Sequence, residues 1–108
     1  MVFIQNYNNH DIVIGLNNKE NIELITKMMK NPYPNNIMFL YLRYITTPYC
    51  FIIGPNPDNF IIYKAAYYLK NISIEKKSSN VIINYTNIIN VKHNNKYFIV
   101  KEANTICI

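Results

Sequence analysis

The 108-residue sequence contains no tryptophan, two glycines and two cysteines. Two cysteines are too few for a disulfide framework, which excludes a small domain held together by disulfides. No apolar stretch reaches the ~20 residues that a membrane-spanning helix needs, and Arg43 and Pro48 interrupt the longest one. The first residues lack the basic start and apolar run of a signal peptide. We therefore expect an intracellular protein, in the cytoplasm or a host cytoplasm, that is not secreted and has no membrane partner.

Acidic residues are also scarce, with six against eleven lysines and arginines, so the formal net charge is +5. The charge is uneven, because residues 55–108 carry seven lysines against three carboxylates, a net of +4. A positive field favours anionic partners such as nucleic acid. The alternative is that the lysines only keep an apolar domain soluble.

Isoleucine and asparagine are the abundant residues, at 20 and 19, and tyrosine follows at 10. This composition is typical of an AT-rich coding sequence, so we expect a viral protein or one from another AT-rich genome. The asparagines cluster where turns are expected, as at Asn8-Asn9. Asparagine tolerates positive φ better than most residues, so it can replace glycine in such turns.

Both glycines follow short apolar strands and precede a helix. Gly15 follows Ile12–Ile14, and Gly54 follows Phe51–Ile53. A shift of 39 positions overlays the two regions without a gap. The sequence therefore predicts one domain, 1–108, with a ββα unit used twice, over 2–31 and 41–71, and a C-terminal β-hairpin over 80–108. The alternative is that apolar strands resemble one another by chance.

The residues after each glycine predict how the two helices begin. Asn17 is the expected N-cap of the first helix, with Glu20 three residues on as in a capping box. Asn56 is the expected N-cap of the second, with Pro57 at its first position and Asp58 in its first turn. Because a strand–glycine–helix junction presents free backbone N–H groups, the candidate anion-binding residues are Gly15, Asn17, Gly54 and Asn56. The alternative is that both junctions are purely structural turns.

The remaining patterns predict a sheet. Ile37–Ile45 is apolar on both faces apart from Arg43, which is typical of a central strand. Residues 81–91 read as a strand, with a hairpin turn at 93–95 and a returning strand at 97–100. We therefore expect an α+β fold: an antiparallel or mixed sheet with two helices on one face.

Residues with catalytic chemistry are few. His10 and His93 lie in predicted turns, where they are either solvated or, with Lys92 or Lys96, form a pair that acts on a phosphoester. Cys50 lies in an apolar strand and reads as a buried thiol. No metal-ligand spacing, cofactor motif or catalytic motif is present in the sequence. We therefore expect no catalytic residues, no metal and no cofactor.

The basic and aromatic residues of the second half give the leading hypothesis, since tyrosines stack bases while lysines neutralise phosphates. The single arginine argues against base-specific recognition. The candidate nucleic-acid-binding residues are Lys64, Lys70, Lys76, Lys77, Lys92, Lys96 and Tyr97. The leading function is thus a non-enzymatic nucleic-acid-binding protein. One alternative is a protein–protein interaction module (an assembly subunit, a host-factor inhibitor or a homodimer), because tyrosine is favoured at interfaces. The other is a small phosphoester-acting enzyme.

Overall fold

A computed structural model describes residues 2–45, 47–93 and 97–108. Within these residues, two helices and eight strands follow one another: β1 (Phe3–Tyr7), β2 (His10–Ile14), α1 (Asn18–Met29), β3 (Ile37–Leu42), β4 (Cys50–Ile53), α2 (Asn59–Ile72), β5 (Ile82–Asn87), β6 (Val91–His93), β7 (Phe98–Val100) and β8 (Asn104–Cys107). Short 3₁₀ turns at Pro34–Asn36 and Ile88–Asn90 precede β3 and β6. The predicted α+β class is confirmed.

Six strands form one sheet in the order β1-β2-β4-β3-β5-β8, and every neighbouring pair is antiparallel. β6 and β7 form a separate antiparallel hairpin, which confirms the returning strand predicted near the C-terminus. Its predicted turn at 93–95 lies largely outside the described residues. The prediction of one strand over 81–91 is wrong, because the turn at Ile88–Asn90 divides it into β5 of the main sheet and β6 of the hairpin. β3 is an interior strand as predicted, but it ends at Leu42 because residues 43–45 form a turn.

Asparagine replaces glycine at several turns. Asn8 and Asn9 have φ of 48° and 66°, and they connect β1 to β2 through a two-residue turn. Positive φ at both central residues is the signature of a type I′ turn, whose twist matches that of the flanking strands. Asn56 and Asn80 also have positive φ, of 45° and 58°. These values agree with the expectation that asparagine serves in place of glycine here.

The cap of α1 is formed as predicted, and that of α2 is not. The Asn17 side chain accepts a hydrogen bond from Glu20 N at 2.9 Å, and Leu16 N donates to the Glu20 carboxylate. In α2, however, the N-cap is Asp58, whose Oδ1 accepts from Ile61 N at 2.9 Å. Asn56 is not the cap, because it lies two residues before the N-cap position and its backbone is left-handed. A cap residue instead has extended backbone, as Asp58 does.

The prediction that both helices lie on one face of the sheet is wrong. One buried cluster joins α2 to the side chains of Ile12, Ile14, Leu40, Leu42, Cys50 and Ile52. The other cluster joins α1 to side chains on the opposite side of β3 and β4, namely Ile37, Phe39, Tyr41 and Phe51. We call these two sides the α2 face and the α1 face.

Strand order explains why the helices are on opposite faces. The α1 connection leads from β2 to β3 and the α2 connection from β4 to β5, and both move two positions in the same direction across the sheet. β2 and β4 are antiparallel. Two right-handed crossovers that start from antiparallel strands and move the same way must place their helices on opposite faces. No rotation therefore superposes both ββα units with their helices, and common ancestry of the two halves stays a prediction.

Candidate nucleic-acid interface

The β6–β7 hairpin packs on the α1 face, beside α1. Val91, Phe98 and Val100 point inward and join the buried cluster there. The Phe98 ring lies edge-on to three other rings, with centroid distances of 5.0 Å to Phe39, 4.9 Å to Tyr41 and 5.3 Å to Tyr49. These contacts fix the hairpin on the sheet even though each strand has only three residues.

The other side of the hairpin faces outward. Lys92 pairs across the hairpin with Ile99, and strand alternation places both on the side away from the sheet. Exposed fractions are 61% for Ile89, 58% for Ile99 and 56% for Tyr97. Lys101 is held beside this surface because its backbone N–H donates to Asn90 O at 2.9 Å. We call Ile89, Lys92, Tyr97, Ile99 and Lys101 the hairpin patch.

The hairpin patch has the form of a shallow binding surface. Ile89, Asn90, Lys92, Ile99 and Lys101 line a depression of about 260 Å³. Exposed apolar side chains that are flanked by cations suit a ligand with both apolar surface and negative charge. The nearest acidic residue in sequence is Glu102, which lines a neighbouring depression with Met38 and Asn104. The patch itself carries two cations and no carboxylate.

The structure divides the predicted nucleic-acid-binding residues into separate groups. Lys92 and Tyr97 belong to the hairpin patch, and Lys96 lies outside the described residues. Lys64 and Lys70 are on α2, on the opposite face of the sheet. Lys64 Nζ sits 5.6 Å from the Phe60 ring centroid, and Lys70 Nζ donates to Ile108 O at 3.2 Å.

Lys76 and Lys77 form the third group, in the exposed turn after α2. The six candidates that the structure describes therefore do not form one surface. The apolar members of the hairpin patch, Ile89 and Ile99, were missed by the sequence analysis. Alternation within β6 and β7 was the available signal, because it leaves Ile99 on the same side as Lys92.

The two histidines lie at opposite ends of β4. His10 is adjacent to Gly54, and its buried ring has Nδ1 2.9 Å from Asn8 O and Nε2 2.7 Å from Pro55 O. His93 contacts Tyr49, with ring centroids 6.5 Å apart, and partial burial lowers its pKa. Tyr49 and Gly54 are five residues apart along an extended segment, about 16 Å at ~3.3 Å per residue. The histidines therefore do not form a catalytic pair.

The two glycine amide groups proposed to bind an anion are engaged elsewhere. Gly15 N donates to Tyr49 O at 3.2 Å, and Gly54 N donates to Asn36 O at 2.8 Å. The Asn17 side chain is occupied as the α1 cap. Gly15 and Asn17 do line a surface depression of about 260 Å³ with Thr47 and Ser73. The Gly15 amide, however, is not available to an anion in that depression, because it donates to Tyr49 O.

Other chemistry is limited in the part of the chain that the structure describes. No three His, Cys, Asp or Glu side chains come together there as metal ligands. Cys50 is buried, as expected, and burial strongly raises the pKa of its thiol. A thiol in that state is a poor nucleophile. None of the described helices has the length and apolar character needed to cross a bilayer.

Comparison with known proteins defines the fold and not the function. No family model and no curated protein matches the sequence. Among solved structures, the chain is similar to the C-terminal part of the fibronectin/fibrinogen-binding protein from Streptococcus suis, with a TM-score of 0.82 and 17% identity. The match covers 99% of this chain and 44% of that chain. The chain is thus an α+β domain of the same fold, and it spans less than half the length of its structural neighbour.

Proposed function

We propose that the chain is a non-enzymatic binding protein that holds single-stranded nucleic acid on the hairpin patch. The observation that carries the proposal is the presence of Lys92 and Lys101 around one depression with exposed Ile89 and Ile99 beside it. The lysines suit phosphates, while Tyr97 and the apolar side chains suit the faces of unpaired bases. The single arginine of the chain argues for binding with little base preference.

The test is an anisotropy titration of fluorescent ten-nucleotide DNA and RNA single strands at several salt concentrations. Affinity should fall as salt rises, because lysines release counterions from the phosphates. In Lys92→Ala/Lys101→Ala, the slope of log K against log salt should flatten by about 1.4, since each single-strand phosphate contact contributes ~0.7. Tyr97→Leu should weaken binding by about 1 kcal/mol or more through lost stacking and leave the slope unchanged.

The matched control is Lys76→Ala/Lys77→Ala, which removes the same charge from the turn after α2. It should keep the wild-type slope because those lysines are not part of the hairpin patch. Equal flattening of the slope in the two double variants would show that binding depends on net charge alone. That result, or no binding at low salt, would contradict the proposal.

A second candidate function, protein binding, is favoured by the outer side of α2. Phe60, Tyr63 and Tyr67 follow one another at helical spacing, opposite the buried side of the helix, and are 53%, 48% and 45% exposed. Aromatic residues dominate the binding energy of many protein interfaces. The structural neighbour is part of a protein described as binding fibronectin and fibrinogen, which supplies two defined probes.

For this second candidate, immobilised fibronectin and fibrinogen are titrated with the chain by biolayer interferometry. Tyr63→Ala/Tyr67→Ala should lower any affinity found by about 2 kcal/mol, roughly 30-fold, as expected for interface hot spots. Tyr33→Ala/Tyr44→Ala is the matched control, because those tyrosines are 69% and 81% exposed at other places on the surface. Absence of binding, or the same loss in both variants, would remove this candidate.

A further inference from the structure

Within the residues that the structure describes, the β1 edge of the sheet has none of the features that usually protect an exposed strand. β1 pairs with β2 on one side only, and it is the terminal strand in the sheet order. Natural edge strands are commonly protected by lysine, proline, a bulge or a covering segment. The segment 2–9 contains no charged residue and no proline, and Ile4 is 61% exposed. An uncharged, regular edge of this kind is suited to pairing with another strand.

The hairpin geometry determines which backbone groups point outward from this edge. In a two-residue type I′ hairpin the residues that flank the turn form a hydrogen-bonded pair, here Tyr7 and His10. Alternation then directs the N–H and C=O groups of Phe3, Gln5 and Tyr7 towards β2. The corresponding groups of Ile4 and Asn6 are directed towards the free edge. A strand that adds to this edge must therefore form its hydrogen-bonded pairs with Ile4 and Asn6.

We propose that the chain forms a two-fold symmetric dimer by antiparallel pairing of β1 with β1 of a second copy. Centring the two-fold axis on Gln5 places Ile4 opposite Asn6 of the second copy, and Asn6 opposite Ile4. These are the residues whose backbone groups are available, so two hydrogen-bonded pairs form around a non-hydrogen-bonded Gln5–Gln5 pair. The same register places Phe3 opposite Tyr7 of the second copy twice, and aromatic pairs across strands are stabilising.

Those aromatic side chains are already held in place within one copy. The ring centroid of Tyr68 in α2 lies 5.1 Å from that of Phe3 and 6.3 Å from that of Tyr7. The hydroxyl oxygens of Tyr7 and Tyr68 are 2.7 Å apart. A two-fold axis perpendicular to the sheet keeps both α2 helices on the same face of the combined sheet. The Phe3–Tyr7 pairs would thus lie between two ordered Tyr68 rings. Little side-chain entropy remains to be lost on pairing.

A second copy fits this edge better than the opposite edge of the sheet does. Copies with a charge of +5 repel one another, so a self-interface should be free of charge. β8, the other terminal strand, is preceded by Lys101 and Glu102, and Lys70 contacts Ile108 just after it. Pairing of β1 with β8 of another copy would also be heterologous and would extend into open filaments. The β1–β1 interface is closed, and its small size implies weak, micromolar association.

Sedimentation analysis of the full chain over a range of concentrations tests the dimer. We expect the mass to rise from 12.8 kDa towards twice that value and no further. Ile4→Pro should remain monomeric, because it removes an outward N–H and leaves the β1–β2 hydrogen bonds in place. Ile4→Thr keeps the N–H and should associate like the wild type. A monomer at every concentration, growth beyond the dimer, or undiminished association of Ile4→Pro would overturn the proposal.

A cysteine cross-link tests the register without a proline in the strand. Cys107 is exposed, so it is first replaced by serine to remove a competing thiol. In this Cys107→Ser background, Gln5→Cys should form an intermolecular disulfide on mild oxidation. The Cα atoms of a directly opposite non-hydrogen-bonded pair are about 4.5 Å apart, within the range for a disulfide. Ile4→Cys is the matched control, because Ile4 and its symmetry mate are diagonal and about 7–8 Å apart, too far for efficient bridging. Equal cross-linking of the two variants would overturn the proposed register.

Discussion

Phe39→Ala should destabilise the chain by about 3–5 kcal/mol, the usual cost of removing a buried aromatic ring. Phe39 is fully buried at the centre of the α1 face. Its ring stacks on Tyr41 and on Phe51, both with centroids 5.2 Å away, and it meets Tyr49 and Phe98 edge-on. The free energy of unfolding of a domain is typically about 5–15 kcal/mol. The expected loss is a large part of that total, so the variant should be close to unfolding at room temperature.

Denaturant unfolding followed by circular dichroism measures this effect. The matched control is Phe60→Ala, since Phe60 is 53% exposed. Its ring lies edge-on to Tyr7 and beneath the Lys64 ammonium group, at the surface of the domain. The control should cost about 1 kcal/mol or less, as surface substitutions usually do. Similar losses for the two variants would mean that the aromatic cluster is not the main support of the α1 face.

Phe39 also links stability to the proposed function. The β6–β7 hairpin rests on the α1 face through Phe98, and Phe98 contacts Phe39 directly. Loss of the Phe39 ring removes one wall of the site that receives Phe98. We therefore expect nucleic-acid affinity to fall in Phe39→Ala even under conditions where most of the sheet remains folded. The Lys92→Ala/Lys101→Ala variant should instead weaken binding with little change in stability.

Local patterns in the sequence predicted the features that are determined locally. The two faces of β3 follow from strict alternation between Met38, Leu40, Leu42 and their neighbours, and the structure places them on the two faces as expected. The Asn8-Asn9 turn and the Asn17 cap were also predicted from the residues that form them. Each of these features depends on backbone preferences within a few residues.

Features that depend on strand order could not be predicted in the same way. The amphipathic pattern of α1 shows which side is buried and gives no information about which face of the sheet receives it. That face follows from the β1-β2-β4-β3-β5-β8 order, which is set by long-range pairing. The prediction of Asn56 as the N-cap of α2 was wrong for a local reason. Asn56, Asp58 and Pro57 all suit a helix start, and the left-handed Asn56 moves the start to Asp58.

The same limit applies to the candidate site. The sequence identified lysines and tyrosines of the second half as binding residues, and it could not assign them to faces. Helix α2 takes Lys64 and Lys70 to one face, and the β6–β7 hairpin takes Lys92 to the other. The isoleucines of the hairpin patch were not among the predicted binding residues. Ile99 is exposed because its neighbours Phe98 and Val100 fill the inward positions of a three-residue strand.

The two glycines look equivalent in the sequence and have different roles in the structure. A Cβ on Gly15 would collide with the Asn21 side chain, whose Oδ1 accepts from Tyr49 N. Gly15 has no unusual φ, so its requirement is one of space. Gly54 has φ of +148°, and a Cβ there would lie 2.5 Å from the His10 ring and 3.2 Å from Asn9 O. Gly54 is therefore required both for its backbone conformation and for the approach of His10.

Gly54→Ala should consequently destabilise the chain by about 2–6 kcal/mol. Backbone strain at a glycine-only conformation costs ~1–3 kcal/mol, and overpacking costs a further ~1–3 kcal/mol. A double-mutant cycle in urea with His10→Ala separates the two contributions. Removing the imidazole relieves the contact and not the strain, so Gly54→Ala should cost less in the His10→Ala background and still about 1 kcal/mol or more. If Gly54→Ala is as stable as the wild type, the positive φ at this corner is not a constraint on the fold.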